Sequence, residues 1–168
     1  MPHMTSKKRD LTRKLLAAAV TGDVTAAQEA IASGASPDSR DREHSEPAIL
    51  LAAMLQRREV VRLLIQHGAD VNARDEQRQT ALMLSEVIAA EDLIQAGADV
   101  NARDASGETA LMKAVTRADR DLTRLLIAHG AEPGIQDNTG ESAADRATQM
   151  GLTDIAAVLG LPNLPHQQ

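Results

Sequence analysis

The sequence predicts an all-α repeat solenoid of about five stacked helix-turn-helix units joined by β-hairpin-like loops. The octapeptide GADVNARD occurs twice, at 68–75 and 97–104, and related stretches begin at Gly34 and Gly130. A block with helical apolar periodicity precedes each Gly-Ala pair, and in three blocks the glycine follows the first helical position by 21 residues. That interval holds two short helices. Because such a pair cannot bury its apolar face alone, the units must stack on their neighbours.

The composition narrows the class of protein. The 168 residues include no Cys, Phe, Trp or Tyr and carry a net charge of −6. A disulfide framework and a thiolate metal site are therefore excluded, and the core must consist of Leu, Ile, Val, Ala and Met. Without aromatic rings or a positive charge, nucleic-acid binding is disfavoured. No apolar run approaches the ~20 residues of a membrane-spanning helix.

The chain is expected to form one domain between two tails. Residues 1–10 are assigned to a flexible N-terminal tail, 11–160 to a single repeat domain and 161–168 to a C-terminal tail. The repeat boundaries lie near 11–40, 41–74, 75–103, 104–136 and 137–160. The leader Met1-Pro2-His3 before Met4 is typical of a cloning scar. We expect a cytoplasmic monomer, with a periplasmic or exported protein as the alternative if a signal was removed.

The ends of the helices are marked by residue type. A hydroxyl that can cap the first turn is expected at Thr80, Thr109 and Ser142. A left-handed residue is expected to end the second helix at Gly34, Gly68, Gly97 and Gly130. Before two of these glycines stand His67 and His129, where an imidazole suits the negative end of the helix dipole.

These features resemble the ankyrin-repeat family over 11–160, in the form of a small, stand-alone, bacterial-type protein. The resemblance rests on the stretches EVVRLLIQHGADVNARD, LTRLLIAHGA and DASGETALM. The family's Thr-Pro-Leu-His is replaced by Thr80-Ala-Leu-Met83 and Thr109-Ala-Leu-Met112. In the second repeat Pro47 replaces the Thr. The loop 41–46 before it carries one extra residue, which predicts an irregular hairpin finger.

The resemblance implies a non-catalytic protein-interaction module, with an inhibitor, an immunity protein or an adaptor as candidate roles. Family members bind through the hairpin tips and the exposed face of the first helix in each pair. The positions that match, and that we take as candidate partner-binding residues, are Arg42, His44, Met54, Leu55, Arg74, Glu76, Arg78, Arg103, Ser106, Glu108 and Arg117.

No pattern in the chain predicts catalysis. The five histidines lack the spacing of a metal site, and neither a Gly-rich phosphate loop nor a Gly-x-Ser-x-Gly nucleophile turn is present. The sequence therefore predicts no enzyme, no cofactor and no metal. The expected partner is another protein.

Two features single out parts of the binding surface. Arg40, Arg74 and Arg103 recur at one place in successive units and predict an arginine ladder with ~10 Å steps. The ladder would suit a partner with an acidic patch, and it carries the alternative function of binding an acidic ligand or nucleic acid. A structural interpretation is that the following Asp neutralises each Arg. Met54 and Leu55 are apolar where polar residues are expected, so they either contact a partner or lie under the finger around His44.

The third repeat is four residues shorter than the full-length repeats. Its Gly97 follows Thr80 by 17 residues instead of 21, while both flanking octapeptides are intact. Four residues are close to one helical turn, so the apolar face stays nearly in phase. The segment could run as one helix, but the stack requires the chain to reverse. We expect a clipped helix pair, with a tight reversal between Glu86 and Ala90 and a notch in the array.

Overall fold

The computed structural model describes residues 6–41 and 45–161, and within these ranges it contains ten α-helices. They are α1 (Ser6–Thr21), α2 (Val24–Ala32), α3 (Ala48–Met54), α4 (Arg58–Gln66), α5 (Ala81–Leu84), α6 (Val87–Gln95), α7 (Ala110–Thr116), α8 (Arg120–Ala128), α9 (Ala143–Gln149) and α10 (Thr153–Val158). In the described ranges β-structure is limited to two isolated antiparallel bridges, Arg40 with Pro47 and Gln136 with Ser142. The all-α repeat class is confirmed.

Packing divides the chain into two compact units, the first ending at Ala98 and the second beginning at Asp99. In the first unit, α1, α3 and α5 pack in one row, and α2, α4 and α6 pack in a second row. In the second unit, α7 packs on α9 and α8 packs on α10. We call the first helix of each pair, α1, α3, α5, α7 and α9, an inner helix. Each pair buries its apolar face against its own and neighbouring helices.

Helix α1 is longer than the sequence predicts. It begins at Ser6, so residues 6–10, which the sequence assigns to a flexible tail, are helical. The run from Ser6 to Asp10 contains neither Gly nor Pro, and its Lys and Arg residues are good helix formers.

Small aliphatic side chains set the distances between the helices. In α3 the residues from Ala48 to Ala53 are all buried. Larger aliphatic side chains are buried on both helices of a pair, such as Leu50 in α3 and Leu64 in α4. Because alanine lets neighbouring backbones approach closely, this core fills without an aromatic ring.

The expected N-terminal caps form in two of three cases. The Thr109 hydroxyl accepts a hydrogen bond from Met112 N at 3.3 Å, and Ser142 forms a reciprocal capping box with Asp145. The expectation for Thr80 is wrong. Its hydroxyl is buried and has no hydrogen-bond partner among the described residues, because Met83 N donates to the Thr80 carbonyl instead, at 3.1 Å.

Several residues of the repeated octapeptide form hydrogen bonds within their loop or to the next loop. The octapeptide begins with a glycine in the left-handed region, φ 80° at Gly68, which ends the preceding helix. The Asp70 carboxylate accepts from Asn72 N at 2.9 Å, and the Asn72 side chain donates to the carbonyl of Gly97, 3.2 Å away in the next repeat. In the second unit, the Asn101 amide donates to the Gly130 carbonyl at 3.0 Å. The octapeptide therefore ties each loop to the loop that follows.

The shortened repeat is a clipped helix pair, as predicted, but the reversal lies earlier than predicted. Helix α5 has 4 residues where α3 and α7 have 7, whereas α6 keeps the 9 residues of α4 and α8. Ser85 and Glu86, both extended, join α5 to α6, and residues 87–90 are already helical. The deletion falls on the inner helix and its turn because α6 packs on α4 and retains its full length.

The loop before Pro47 carries the predicted extra residue. Asp41 N donates to the carbonyl of Glu46, five residues on, whereas Asp75 N and Asp104 N donate to carbonyls four residues on. The tip of this loop, 42–44, lies outside the described residues, and so does the predicted irregular finger.

Candidate functional site

Two exposed apolar side chains occupy equivalent positions on neighbouring inner helices. Met54 lies two residues before Gln56, the positive-φ residue of its turn, and Val20 lies two residues before Gly22, which has the same role. Their exposed fractions are 45% for Met54 and 43% for Val20. In the second unit the same positions hold the polar Thr116 and Gln149. An apolar side chain left in water at this place is therefore a feature of the first unit.

Two less exposed leucines lie on the inner helices of the first unit: Leu51 is buried and Leu84 is half-buried. On four inner helices we compare the position that lies four residues after the residue preceding the helix. It holds Leu51 on α3, Leu84 on α5, Lys113 on α7 and Arg146 on α9. We call Val20, Leu51, Met54 and Leu84 the apolar strip; these residues lie on α1, α3 and α5, which pack in sequence. At these positions the side chains are thus apolar on α1, α3 and α5 and charged or polar on α7 and α9.

A small cavity lies beside Met54, and we call it the Met54 pocket. Its volume is about 70 Å³. Its lining consists of the apolar side chains Leu50, Met54 and Leu84 and the polar side chains Glu46, Asp75, Gln77 and Gln79. The pocket therefore joins the apolar strip to two carboxylates of successive hairpins.

A wider groove runs beside α1. Its volume is about 680 Å³, and its lining includes Leu16 and Val20 together with the basic residues Arg9, Arg13 and Arg40. Val20 thus belongs both to the apolar strip and to this groove, so apolar surface continues from α3 along α1.

The corresponding place in the second unit holds a network of ion pairs. Lys113 Nζ lies 2.9 Å from both Asp104 Oδ2 and Glu108 Oε2. The Arg146 guanidinium lies 2.6 Å from Glu108 Oε1, 2.6 Å from Asp137 Oδ2 and 3.1 Å from Glu141 Oε2. We call these six residues the ionic network; it joins α7 and α9 to the two hairpins of the unit.

Hydrogen bonds and charge pairing together favour the charged forms of four members of the network, Asp104, Glu108, Lys113 and Asp137. Burial opposes ionisation of Asp104 and Glu108. The hydrogen bonds and charge of Lys113, together with backbone N–H groups at Asp104 and with Arg146 at Glu108, outweigh burial and hold the pKa of both carboxyls below the ordinary values. Hydrogen bonds from Thr139, from the backbone and from Arg146 lower the pKa of Asp137. The same carboxylates raise the pKa of Lys113 against the effect of its burial. All these groups are charged at neutral pH.

The arginines predicted to form a ladder donate to hairpin carbonyls. Arg40 NH1 lies 2.8 Å from the carbonyls of Ser45 and Arg74. Arg103 donates from Nε to the Gly107 carbonyl at 3.1 Å and from NH2 to the Gln136 carbonyl at 2.8 Å. These contacts give the guanidinium groups a structural role. Their role in binding a partner stays a prediction.

The aspartates that follow these arginines act on the backbone. The Asp75 carboxylate accepts from Gln79 N at 2.7 Å. The Asp104 carboxylate accepts from Ser106 N and Glu108 N at 2.9 and 3.0 Å. Arg-Asp is therefore a hairpin-building pair, in which the Asp closes its own turn and the Arg binds carbonyls.

The other predicted site residues are dispersed. Arg42 and His44 lie outside the described residues. Leu55 is half-buried, Glu108 belongs to the ionic network, and exposed side chains are found at Glu76, Arg78, Ser106 and Arg117. Arg78 has φ 60°, at the place where Gly107 has φ 81° in the next hairpin. Of the eleven candidates, Met54 lines the pocket on the apolar strip.

Glu46, Asp75 and Leu84 are among the residues of the Met54 pocket that the sequence prediction of the site did not include. Their signal lies in the repeat register, because Leu84 occupies the place of Lys113 and Arg146, and Glu46 occupies the place of Glu108 and Glu141. Aligning the repeats on the residue before each inner helix would have revealed a missing cation.

Two other kinds of feature are absent from the described residues. In those ranges no group of His, Asp and Glu side chains is arranged to hold a metal ion. The helices there lack the length and apolar character needed to cross a membrane.

Comparison with known proteins agrees with the repeat geometry. Residues 15–90 match the family described as ankyrin repeats (3 copies), and residues 93–147 match ankyrin repeats (many copies). A protein of Treponema pallidum (strain Nichols) that is named for its ankyrin repeats is 32% identical over 135 residues. That match covers 80% of this chain and 36% of the relative, so the chain spans about a third of the relative's length. By its helix pairs, its hairpins and these matches, the chain belongs to the ankyrin-repeat family.

Proposed function

We propose that this chain binds a partner protein through the apolar strip of the first unit and the hairpin tips beside it. Ankyrin repeats are in general protein-interaction modules, and the partner contacts are a property of each surface. The observation that carries the proposal is the exposure of Met54 and Val20 at equivalent positions of adjacent inner helices. Adjacent exposed apolar side chains mark interaction sites, and methionine adapts its shape to a partner.

The surface acts by complementarity. The caps and ties between loops, such as the Asn72 hydrogen bond to the Gly97 carbonyl, hold the backbone so that little conformational entropy is lost on binding. An inhibitor, an immunity protein and an adaptor would all use such a surface, and identification of the partner distinguishes these roles. The arginines support the alternative of an acidic ligand less well, because the Arg40 and Arg103 guanidinium groups already bind hairpin carbonyls.

The test is affinity capture with three immobilised baits: the parent chain, Met54→Glu and Met150→Glu. Met150 is the matched control because it is a methionine with an exposed fraction of 48% at the end of α9. We expect one protein, identified by mass spectrometry, to be retained by the parent and Met150→Glu and lost by Met54→Glu. Equal retention by all three baits would contradict the proposal.

A further inference from the structure

In the second unit, each inner helix supplies a cation to the hairpin carboxylates. The Arg146 guanidinium bridges Asp137 of its own hairpin and Glu108 of the preceding hairpin, both at 2.6 Å. Lys113 lies between Asp104 and Glu108, which both belong to its own hairpin. The carboxylates at this junction are therefore neutralised from within the chain.

At the third repeat, the two carboxylates that correspond to Asp137 and Glu108 are present, but the cation that corresponds to Arg146 is replaced by an apolar side chain. Asp75 corresponds to Asp137, and Glu46 of the preceding hairpin corresponds to Glu108, whereas Leu84 stands in the place of Arg146. Both carboxylates line the Met54 pocket. Within the described part of the chain, no basic side chain forms an ion pair with Glu46 or Asp75. The pocket thus has the acidic half of a pairing that the second unit completes internally.

The size of the pocket limits what it can hold. About 70 Å³ is roughly the space of two water molecules, at about 30 Å³ each, and it falls well below the roughly 300–1,000 Å³ of a small-molecule site. One side-chain terminus fits this volume. Its walls, Leu50, Met54 and Leu84, suit the aliphatic stem of a long side chain, since Lys and Arg bury their stems against apolar surface.

We propose that the Met54 pocket receives an arginine or lysine side chain of a partner protein, with its charged end between Glu46 and Asp75. The partner supplies the cation that Arg146 supplies in the second unit. Arginine is the better occupant, because its planar fork reaches two carboxylates at once. This inference rests on the proposed function and adds the chemistry of the partner residue.

The probe is a random peptide library displayed on phage and selected on the full chain. We expect the selected peptides to share a basic residue beside apolar residues. Their affinity should fall about tenfold for Glu46→Gln and further for Glu46→Gln/Asp75→Asn, because a paired cation loses its partners. Asparagine at 75 keeps an oxygen that can accept from Gln79 N. The control, Glu29→Gln on the exposed side of α2, should bind as the parent does.

A second variant tests the pocket from the opposite direction. Leu84→Arg places a guanidinium where Arg146 has one and should compete with the peptide for Glu46 and Asp75, so binding should fall at least tenfold. Leu84→Met keeps the position apolar and should bind within about twofold of the parent. The circular dichroism spectrum and the thermal midpoint show whether Leu84→Arg is folded. If it is not, the Glu46→Gln variants decide whether the pocket binds a cation.

Two results would overturn the inference in distinguishable ways. Peptides that require Met54 but share no basic residue, or that bind Glu46→Gln/Asp75→Asn unchanged, would sink the cation pocket and leave the proposed function standing. Peptides that bind Met54→Glu as well as the parent, or a library that yields no binder, would count against both.

Discussion

Arg146 of α9 and Glu108 of the preceding hairpin lie 2.6 Å apart, although 38 residues separate them in sequence. Through this contact and its bond to Asp137, the guanidinium connects the hairpins of two successive repeats. The third repeat presents the equivalent carboxylates, Glu46 and Asp75, beside Leu84. One position on the inner helix thus determines whether a cation of the chain lies between these hairpin carboxylates, as Arg146 does, or an apolar side chain stands there, as Leu84 does.

Loss of the Arg146 guanidinium should destabilise the protein strongly. Its side chain is 13% exposed and pairs with three carboxylates. Arg146→Met would leave Asp137 and Glu141 without a counter-charge in the ionic network, whereas Glu108 would keep only Lys113. We expect the free energy of unfolding, measured by urea titration, to fall by about 2–3 kcal/mol, below the cost for fully buried pairs because water reaches this site.

The matched control for that variant is Arg120→Met. Arg120 and Asp154 lie 3.8 Å apart with 52% and 77% of their side chains exposed. Screening by water makes such a pair weak, so we expect a change within about 0.5 kcal/mol. Equal effects of the two substitutions would show that the ionic network adds no stability beyond ordinary surface pairing.

The network should make stability depend on pH in the acid range. Asp104, Glu108 and Asp137 have lowered pKa values in the fold, so their contribution is complete above the ordinary carboxyl pKa of about 4. It is lost as pH falls through the lower, folded values, because the unfolded state then binds more protons. The urea midpoint of the parent should drop as pH is lowered below about 4.

Arg146→Met provides the internal reference for this pH effect. Because its carboxylates lack the guanidinium that lowers their pKa, its midpoint should decline less over the same acid range. The raised pKa of Lys113 gives the opposite pH dependence. The contribution of Lys113 to stability is present at neutral pH and is lost only as pH rises through the raised pKa. Parallel acid declines in parent and variant would contradict the assignment.

The orphan hydroxyl of Thr80 predicts an unusual response to substitution. Thr80 is 3% exposed and its Oγ1 has no partner in the described part of the chain. Thr80→Val removes a buried hydroxyl without changing the shape, so the free energy of unfolding should stay the same or rise by about 1 kcal/mol. Thr109→Val removes a real cap and should cost about 1 kcal/mol. Equal losses in urea unfolding would mean that the Thr80 hydroxyl has a partner.

The local sequence predicts the repeat units well because helix periodicity, caps and left-handed glycines act over a few residues. The octapeptides, their related stretches and the helical periodicity between them located the helix pairs. The reversal in the third repeat was misplaced, at 86–90 instead of at Ser85 and Glu86. Its place depends on α6 keeping its full length against α4, which is a tertiary contact.

The candidate site could be predicted only in part. Met54 stood out because an apolar residue occupies a position expected to be polar. The arginines were interpreted through their charge, but Arg40 and Arg103 bond to carbonyls of the next hairpin, and such acceptors leave no mark in the sequence.

By itself the sequence determined the family and the four-residue deletion, since each follows from a short-range pattern. Only the tertiary structure decided where the deletion is absorbed and which charges are neutralised. Both depend on side chains that stacking brings together from different repeats. Glu46, Asp75 and Leu84 are far apart in sequence, and they line one pocket because successive inner helices and hairpins pack side by side.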